Sequence, residues 1–291
     1  MPAARFRPTH RGKHPRPHHG PRLFTSLLVL LATSLPLGAV SLEQHEWNYF
    51  LAAADPVVFQ YSTKIRVITD GESHGRYAGS GSALRAGLYL AYSQTTLWDL
   101  WAWDESTPMI ESSYRPEAFW RFVPKTGPLA WLDAGGIHES NGLGGARIAE
   151  SRAWNRLMIS GGIPLAGRAL VLVPRLWCIL TDEGNGRIGT YAGYGELELA
   201  LDVGLGSSRL VGSMRLRKGW STALDHGSIL ITLAWQPWAG QPSLPDNSGT
   251  GTQQGLPFAL IVQALSGFGD TMIAYDKKEH HIRAGFGLFF D

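Results

Sequence analysis

Apolar and polar side chains alternate at period two through most of this chain, and that pattern restricts the fold more than any other feature. Successive side chains of a β-strand point to opposite faces, so the alternation predicts strands with one apolar and one polar face. Glycines, 35 in all, fall largely between these runs, where turns are expected. The chain is therefore predicted to be all-β, with strands in the runs 57–67, 84–92, 118–123, 170–180, 196–203, 209–217, 229–235, 258–265 and 282–290.

Two architectures produce such alternation. A soluble sandwich or barrel turns its apolar faces inward, whereas a transmembrane β-barrel turns them toward lipid and keeps its charges in the lumen. The chain contains 11 Trp residues, which suits the aromatic girdles found at both bilayer interfaces. The number of apolar faces also exceeds what one soluble core needs, so the pattern favours an antiparallel transmembrane β-barrel.

The N-terminal region has the order of a secretory signal. Six basic residues precede an apolar run at 23–35, and Ala39-Val40-Ser41 offers a small-residue cleavage site. An uncleaved anchor helix is the alternative, but the apolar run is short for crossing a bilayer. We therefore expect residues 1–41 to be a signal peptide with a long basic leader, read by the Sec pathway. Residues 42–56 are predicted to be a lead-in, 57–291 the barrel, and 241–254 a long loop.

Charge and cysteine content argue against a nucleic-acid-binding protein and against a fold held by internal disulfides. Without residues 1–41 the 26 Lys and Arg fall to 20 against 24 acidic residues, which leaves a net charge of −4. The basic character therefore belongs to the leader, and no nucleic-acid partner is expected. The single cysteine, Cys178, cannot form an internal disulfide, and we interpret it as a small buried or membrane-facing residue.

One stretch, from Trp131 to Arg156, contains a candidate catalytic group. His138 and Ser140 lie two apart, so on a strand an imidazole stands beside a hydroxyl whose proton it can accept. Asn155, on the next predicted strand, can reach the other imidazole nitrogen. These are the nucleophile, base and orienting residue of a serine hydrolase. The plainer interpretation is a polar rim at the end of a hairpin, because His, Ser and Asn are common residues.

The face on which these residues lie separates the two interpretations. His138 and Ser140 share a face with apolar or small residues at 132, 134 and 136, opposite Asp133. Asn155 shares its face with aliphatic residues at 157 and 159, opposite Arg156. Since charges belong in the lumen of a membrane barrel, the three polar residues are predicted to face outward, where polar groups are costly. That placement suits a substrate that comes from the membrane itself.

Several motifs agree in order and spacing with a known family, over roughly residues 48–291. The chain resembles the outer membrane phospholipase A family of Gram-negative bacteria. The matching stretches are Tyr92-Ser93-Gln94, Glu105-Ser106-Thr107-Pro108, Tyr114-Arg115-Pro116, His138-Glu139-Ser140-Asn141-Gly142, Ser151-Arg152-Ala153-Trp154-Asn155-Arg156-Leu157, Tyr191-Ala192-Gly193-Tyr194 and Ser266-Gly267-Phe268-Gly269-Asp270.

The resemblance implies a 12-stranded outer-membrane barrel that hydrolyses acyl esters of phospholipids and lysophospholipids, with phospholipase A1, A2 and lysophospholipase activity. It implies that Ser140 is the nucleophile, His138 the base and Asn155 the residue that orients His138. A neutral amide in the place of the usual Asp avoids the cost of a carboxylate beside lipid. The oxyanion hole of the family combines a backbone amide, here that of Gly142, with a water held by calcium.

The resemblance also implies a calcium-dependent homodimer as the active state. The calcium ligands would be the Ser151 hydroxyl, the Leu143 carbonyl and a carbonyl at Ser106 from the second copy, an oxygen set that suits Ca²⁺. For Ser151 alone, a strand-end hydroxyl is the plainer interpretation. Gln94 matches a polar interface residue of the family, and a lumen-facing amide is the alternative.

One departure from the family pattern concerns calcium, because the connection 143–150 is longer than usual and has Glu150 where an Asp is often found. Two other functions stay open on the sequence. A non-enzymatic barrel, a pore or a structural protein, would keep the scaffold without hydrolysing lipid. A soluble periplasmic esterase on a β-sandwich would be extracted without detergent.

Overall fold

A computed structural model describes residues 42–53, 56–69, 84–100, 109–166, 169–219, 226–239 and 257–289. The expected signal peptide at 1–41 and the expected loop at 241–254 lie outside the described residues. The described residues form thirteen strands: β1 Leu42–Gln44, β2 Asn48–Ala52, β3 Val57–Thr69, β4 Leu84–Trp98, β5 Met109–Pro124, β6 Trp131–Ser140, β7 Ala153–Ala166, β8 Leu170–Thr181, β9 Gly195–Leu205, β10 Ser208–Lys218, β11 Gly227–Gln236, β12 Phe258–Phe268 and β13 Lys278–Leu288.

Every pairing is antiparallel, and the strands from β2 to β13 close into a ring. Each of them pairs with its neighbour in sequence, and β13 returns to pair with β2, with Phe286 opposite Phe50. β1 pairs with the part of β3 beyond β2, with Leu42 opposite Ile65. The fold is thus the predicted 12-stranded antiparallel β-barrel. β1 is an additional short strand that pairs with β3 and is not part of the ring.

The predicted lead-in at 42–56 is wrong as a boundary. Asn48–Ala52 is a strand of the barrel itself, and it provides the contact that closes the ring against β13. A strand of five residues is too short to show a clear alternation of apolar and polar side chains. Residues 45–47 also separate β2 from β1, so β2 is not part of a longer alternating run. His45 and Glu46 turn into the lumen instead, where they reach Glu117 at 3.2 Å and Arg115 at 2.5 Å.

The two faces of the barrel wall differ as the alternation predicted. The outer face is apolar, and Cys178 lies exposed on it between Leu176 and Leu180. The lumen contains paired charges: Glu196 accepts from Arg175 at 2.6 Å and from Arg217 at 3.0 Å. An apolar cluster also fills part of the lumen, formed by Tyr89, Ala91, Phe119, Ile137, Met158 and Trp177.

Two short helices lie in the connections beside the strands described above. A 3-10 helix, Gly145–Glu150, lies between β6 and β7, and α1, Ile188–Ala192, lies between β8 and β9. Within the described ranges, no helix has the length and apolar character that crossing a membrane requires.

Candidate active site

The antiparallel register of β6 and β7 places the predicted base beside its predicted orienting residue. His138 lies directly opposite Asn155, and Ser140 lies opposite Ala153. Cβ atoms of directly opposed residues in antiparallel strands stand about 4.5–5.5 Å apart, so their side chains can bond. Nδ1 of His138 lies 2.8 Å from Oδ1 of Asn155, which is a hydrogen-bonding distance.

A third residue determines which way the Asn155 amide is turned. Thr181, the last residue of β8, lies opposite Asn155, and the Asn155 amide nitrogen donates to the Thr181 hydroxyl at 2.6 Å. Since the nitrogen of the amide is directed at Thr181, its oxygen is directed at His138 and accepts a hydrogen bond from Nδ1–H. That tautomer leaves a lone pair on Nε2 of His138, the nitrogen that a base needs.

The candidate site lies on the outer face of the barrel, as predicted. Leu157 and Ile159, on the face of Asn155, are 50% and 47% exposed. On the opposite face, Arg156 is 6% exposed and Asp133 4%. Both charges are paired within the lumen, Arg156 with Glu139 at 2.6 Å and Asp133 with Arg121 at 2.7 Å.

Tyr114 of β5 shapes the backbone that follows Ser140. Tyr114 lies opposite Ser140 in the register, and its ring packs on Gly142. Gly142 has a φ of +64°, and a Cβ atom at this position would lie 2.7 Å from the Tyr114 ring. Both the conformation and the space therefore require glycine here. The backbone amide expected to serve the oxyanion hole is held two residues after Ser140.

The loop from 141 to 152 contains the two predicted calcium ligands that the structure describes. Leu143 precedes the 3-10 helix and Ser151 follows it, with the Ser151 amide bonded to the Ile148 carbonyl at 3.1 Å. The third predicted ligand, Ser106, lies outside the described residues. The structure thus places Leu143 and Ser151 on either side of a short 3-10 segment that is kinked at Arg147.

Glu150, the acidic residue of the 141–152 loop, already forms an ion pair. Arg147 donates to its carboxylate from Nε at 3.1 Å and from a terminal nitrogen at 2.5 Å. These hydrogen bonds lower the pKa of the Glu150 carboxyl. Both side chains are largely exposed, so this ion pair is a surface feature of the loop.

Gln94 lies on the outer face of β4, in the same register row as Tyr114 and Ser140. The alternative prediction of a lumen-facing amide is therefore wrong. Its oxygen accepts from the Tyr92 hydroxyl at 2.9 Å, and its nitrogen donates to Ser112 at 3.2 Å. The outer face beside the candidate site is thus unusually polar for this barrel.

Three residues of the site region were given no role by the sequence: Thr181, Tyr114 and Asn141. Asn141 was detectable, because an Asn-Gly pair after a predicted strand is typical of a structured turn. Tyr114 lies in a recognised motif, but its contact with Gly142 depends on the register between two strands. Thr181 lies 26 positions from Asn155, across an irregularity in the β7–β8 register, and no local pattern points to it.

A family model described as phospholipase A1 matches residues 41–288. A putative phospholipase A1 of Neisseria meningitidis serogroup B is 28% identical over 218 residues, which cover 71% of this chain and 50% of that protein. The chain thus spans about half the length of the Neisseria relative. Phospholipase A1 of Proteus vulgaris is 25% identical over 272 residues, which cover 92% of this chain and 80% of that protein.

Solved structures show the same fold at lower identity. A calcium-bound dimer of the Salmonella typhi outer membrane phospholipase matches with a TM-score of 0.64 and 22% identity, over 89% of this chain and 96% of that one. Outer membrane phospholipase A from Escherichia coli matches with the same TM-score and identity, over 85% of this chain and 98% of that one.

Proposed function

We propose, because this chain belongs to the phospholipase A1 family, that it is a calcium-dependent outer-membrane phospholipase. Its substrates are phospholipids and lysophospholipids, whose acyl esters it hydrolyses at either chain position. The catalytic residues are Ser140, His138 and Asn155, and the active state is a homodimer. Residues 1–41 direct export through the Sec pathway.

The hydrogen-bonded pair of His138 and Asn155 on an apolar outer face best supports this proposal. The 2.8 Å contact leaves Nε2 of His138 as a base, on the face where Ser140 also lies. Polar side chains among exposed aliphatic residues are costly in a bilayer, so a purely structural origin is a poor explanation. A substrate whose ester lies at the membrane surface reaches that face without leaving the bilayer.

In the first half of the reaction, Oγ of Ser140 attacks the ester carbonyl carbon while its proton passes to Nε2 of His138. The carbonyl oxygen becomes an oxyanion, which the Gly142 amide stabilises by hydrogen bonding. The intermediate collapses, the bond to the glycerol oxygen breaks, and His138 returns the proton to that oxygen. A lysophospholipid leaves, and the acyl chain stays on Ser140.

In the second half, a water molecule attacks the acyl carbon and gives one proton to Nε2 of His138. Collapse of the second intermediate breaks the bond to Ser140, which regains the proton from His138, and a fatty acid leaves. Throughout both halves, Asn155 accepts from Nδ1 and keeps the imidazole in one tautomer and orientation. The amide is neutral, so no carboxylate has to be placed beside lipid.

The oxygen donors of the loop fit calcium in kind. The Leu143 carbonyl and the Ser151 hydroxyl are hard oxygen ligands on either side of the kinked 3-10 segment 145–150, and Ser106 from the second copy would add a third. Bound there, calcium would supply positive charge near the developing oxyanion. Glu150 is engaged by Arg147, so the set within one subunit is neutral, which favours weak rather than tight binding. The calcium-bound dimer of the Salmonella typhi protein supports this choice of metal.

A homodimer is supported by the polar outer face that surrounds Gln94. Gln94 and Thr96 of β4 and Ser112 of β5 hydrogen-bond one another there. Thr96 and Ser112 are buried, whereas Gln94 is partly exposed, so a second copy with the same face could hydrogen-bond Gln94 where lipid offers no partner. Gln94 shares a register row with Ser140, so such an interface would lie next to the candidate site.

The test is fatty-acid release from mixed phospholipid micelles by detergent-refolded protein, with calcium titrated and then chelated. We expect release that needs calcium and disappears in Ser140→Ala, whose barrel still shows a heat-dependent shift on gels. Absence of release from a folded dimer would favour the non-enzymatic barrel. Release that ignores calcium would keep Ser140 but reject the metal ligands.

A further inference from the structure

Asn141 is one of the most deeply buried polar residues of the loop end of the barrel, at 2% exposure. Its side chain bonds to backbone atoms at both ends of the 141–152 loop. Nδ2 donates to the Glu150 carbonyl at 2.8 Å, and Oδ1 accepts from the Arg152 amide at 3.0 Å. A single side chain therefore connects the start of the loop to its end.

The same amide also reaches the side of the loop that follows Ser140. The Leu143 amide approaches Oδ1 of Asn141 at 3.4 Å, and the Asn141 backbone amide donates to the Arg152 carbonyl at 3.1 Å. Leu143 and Ser151, the two calcium ligands of the proposal above, each lie within two residues of these contacts. Asn141 thus bonds the backbone next to both ligands.

The other hydrogen bonds of the loop run between its own residues or lie at its surface. Gly144 and Gly145 follow Leu143, and a Cβ atom at either position would meet nothing within 4 Å. Ile148 and Ala149 are exposed to the solvent, and the ion pair of Arg147 and Glu150 is a surface pair. A loop with glycines and few packed side chains loses much conformational entropy on ordering, so the buried hydrogen bonds of Asn141 contribute to its geometry beside this exposed pair.

Glu111, on β5, lies near Asn141 on the barrel side. Glu111 is 1% exposed, and its carboxylate accepts from the Ile273 amide at 3.2 Å. The connection between β12 and β13 is thereby linked to the part of β5 that leads to Tyr114, the partner of Ser140 in the register. A buried carboxylate thus lies close to Asn141 in addition to the backbone partners of its amide.

We infer that Asn141 is a positioning residue, which holds the loop in the conformation that brings the Leu143 carbonyl and the Ser151 hydroxyl together for calcium. The inference rests on the proposed function. It predicts that loss of the amide weakens calcium binding while the catalytic residues keep their chemistry. At saturating calcium the metal itself holds the loop closed, so the maximal rate is recovered.

The test compares Asn141→Ala with Asn48→Ala, which removes a buried amide of the same kind at the other end of the barrel. Asn48 accepts from the Ser62 amide at 2.7 Å and does not contact the 141–152 loop. Calcium is titrated into each detergent-solubilised protein by calorimetry, and the calcium midpoint of lipid hydrolysis is measured in parallel. Trypsin cleavage after Arg147 and Arg152 is followed in the presence of chelator.

For Asn141→Ala we expect calcium affinity to fall about tenfold, as is typical when a supporting residue of a metal site is lost. The hydrolysis midpoint rises by the same factor, the rate at saturating calcium stays within about twofold of wild type, and cleavage in the loop is faster. Asn48→Ala keeps the wild-type calcium midpoint and loop cleavage rate. A general loss of folded protein would lower the maximal rate without moving the midpoint.

Three outcomes overturn the inference. An unchanged calcium affinity and cleavage rate in Asn141→Ala would show that the loop holds itself, and an equal shift in Asn48→Ala would show that the effect is not local. Wild-type protein that binds no calcium would refute the inference that Asn141 positions the loop for a metal ion. These results are distinct from failure of the proposed function, which would be seen as absence of lipid hydrolysis by wild-type protein.

Discussion

The lumen and the outer face of this barrel both contain polar side chains, but of different kinds. In the lumen many of them are charged and paired, as with Glu196 between Arg175 and Arg217, and neutral ones such as Ser62 and Ser93 hydrogen-bond each other. On the outer face at the end of β6 and β7 they are neutral: an imidazole, a hydroxyl and an amide. In the lumen, polar side chains fill the interior of the barrel and bond one another. On the outer face, the polar side chains lie among apolar neighbours, and the stability of the barrel does not require them.

The difference follows from the cost of charge in each place. Two opposite charges that are close together and hydrogen-bonded can be accommodated in a polar lumen, although removing one of them is expensive. A carboxylate facing lipid has no such compensation, which explains why an amide supports His138. The charged pairs of the lumen therefore serve stability, whereas His138, Ser140 and Asn155 on the outer face serve the proposed reaction. Each of the following predictions tests one side of this division.

The largest effect is expected from Ser140→Ala, which should lower lipid hydrolysis by at least about a thousandfold, because the acyl group has no other acceptor. The matched control is Ser160→Ala, the same change on the lumen face of β7, where Ser160 is buried. Hydrolysis by the control should stay within about twofold of wild type. Rates are measured as fatty-acid release at saturating calcium, and comparable rates in the two variants would contradict the division.

Removal of a lumen carboxylate should act on stability instead. Glu196→Leu leaves two arginines without their shared partner, and breaking a buried pair of this kind costs about 3–5 kcal/mol. The measurement is urea-induced unfolding in lipid vesicles. Leu197→Ala, one residue along β9 on the outer face, serves as the control and should change the free energy of unfolding by less. A larger effect of the outer-face change would mean that lumen pairs do not stabilise the barrel.

Asn155→Ala should lower kcat by about a hundredfold, because His138 loses the acceptor that selects its tautomer. Thr181→Val keeps the amide but removes the group that turns it, so its effect should have the same sign and be smaller. The free energy of unfolding in urea should barely change in either variant. If Thr181→Val were as damaging as Asn155→Ala, the orientation of the amide rather than its presence would control the reaction.

The smallest effect concerns Glu150, whose pKa is lowered by hydrogen bonds from Arg147. A lowered folded-state pKa means that the ion pair is present above the usual carboxyl value of 4.5 and is lost as the pH falls through the lowered value. Hydrogen exchange of amides 145–150, corrected for intrinsic rates, should be flat from about pH 8 to about pH 5 and should increase only below that range. In Glu150→Gln the acid-induced increase should be absent. An increase near neutral pH would indicate that a histidine controls the loop.

Much of the fold was predictable because alternation is a local property of a strand. The run predicted at 209–217 is β10, Ser208–Lys218, and the outward position of His138, Ser140 and Asn155 follows from the same period. β2 was missed because five residues show too little of that period. Which lumen charges pair was also beyond the sequence, since Glu46 meets Arg115 only through the closed ring.

The supports of the candidate site were harder to predict than the site itself. His138 and Asn155 belong to one hairpin, so their contact follows from adjacent strands. Thr181 and Tyr114 act through strand register, which neither composition nor spacing reveals. The Asn141-Gly142 pair indicates a turn, but it does not show which backbone atoms Asn141 bonds. The functional groups of this chain are thus recognisable locally, whereas the groups that hold them depend on the folded neighbourhood.

The closure of the ring between β2 and β13 has a consequence for the order of folding. The hairpin that joins His138 to Asn155 is a contact between neighbours in sequence, whereas closure joins the first and last strands of the barrel. Local pairings form faster than distant ones, because less chain entropy is lost when they form. The β6–β7 hairpin can therefore pair while the sheet is still open, and the pairing of β13 with β2 completes the wall that encloses the lumen charges. The pairing that closes this barrel thus belongs to strands other than those that carry the candidate catalytic residues.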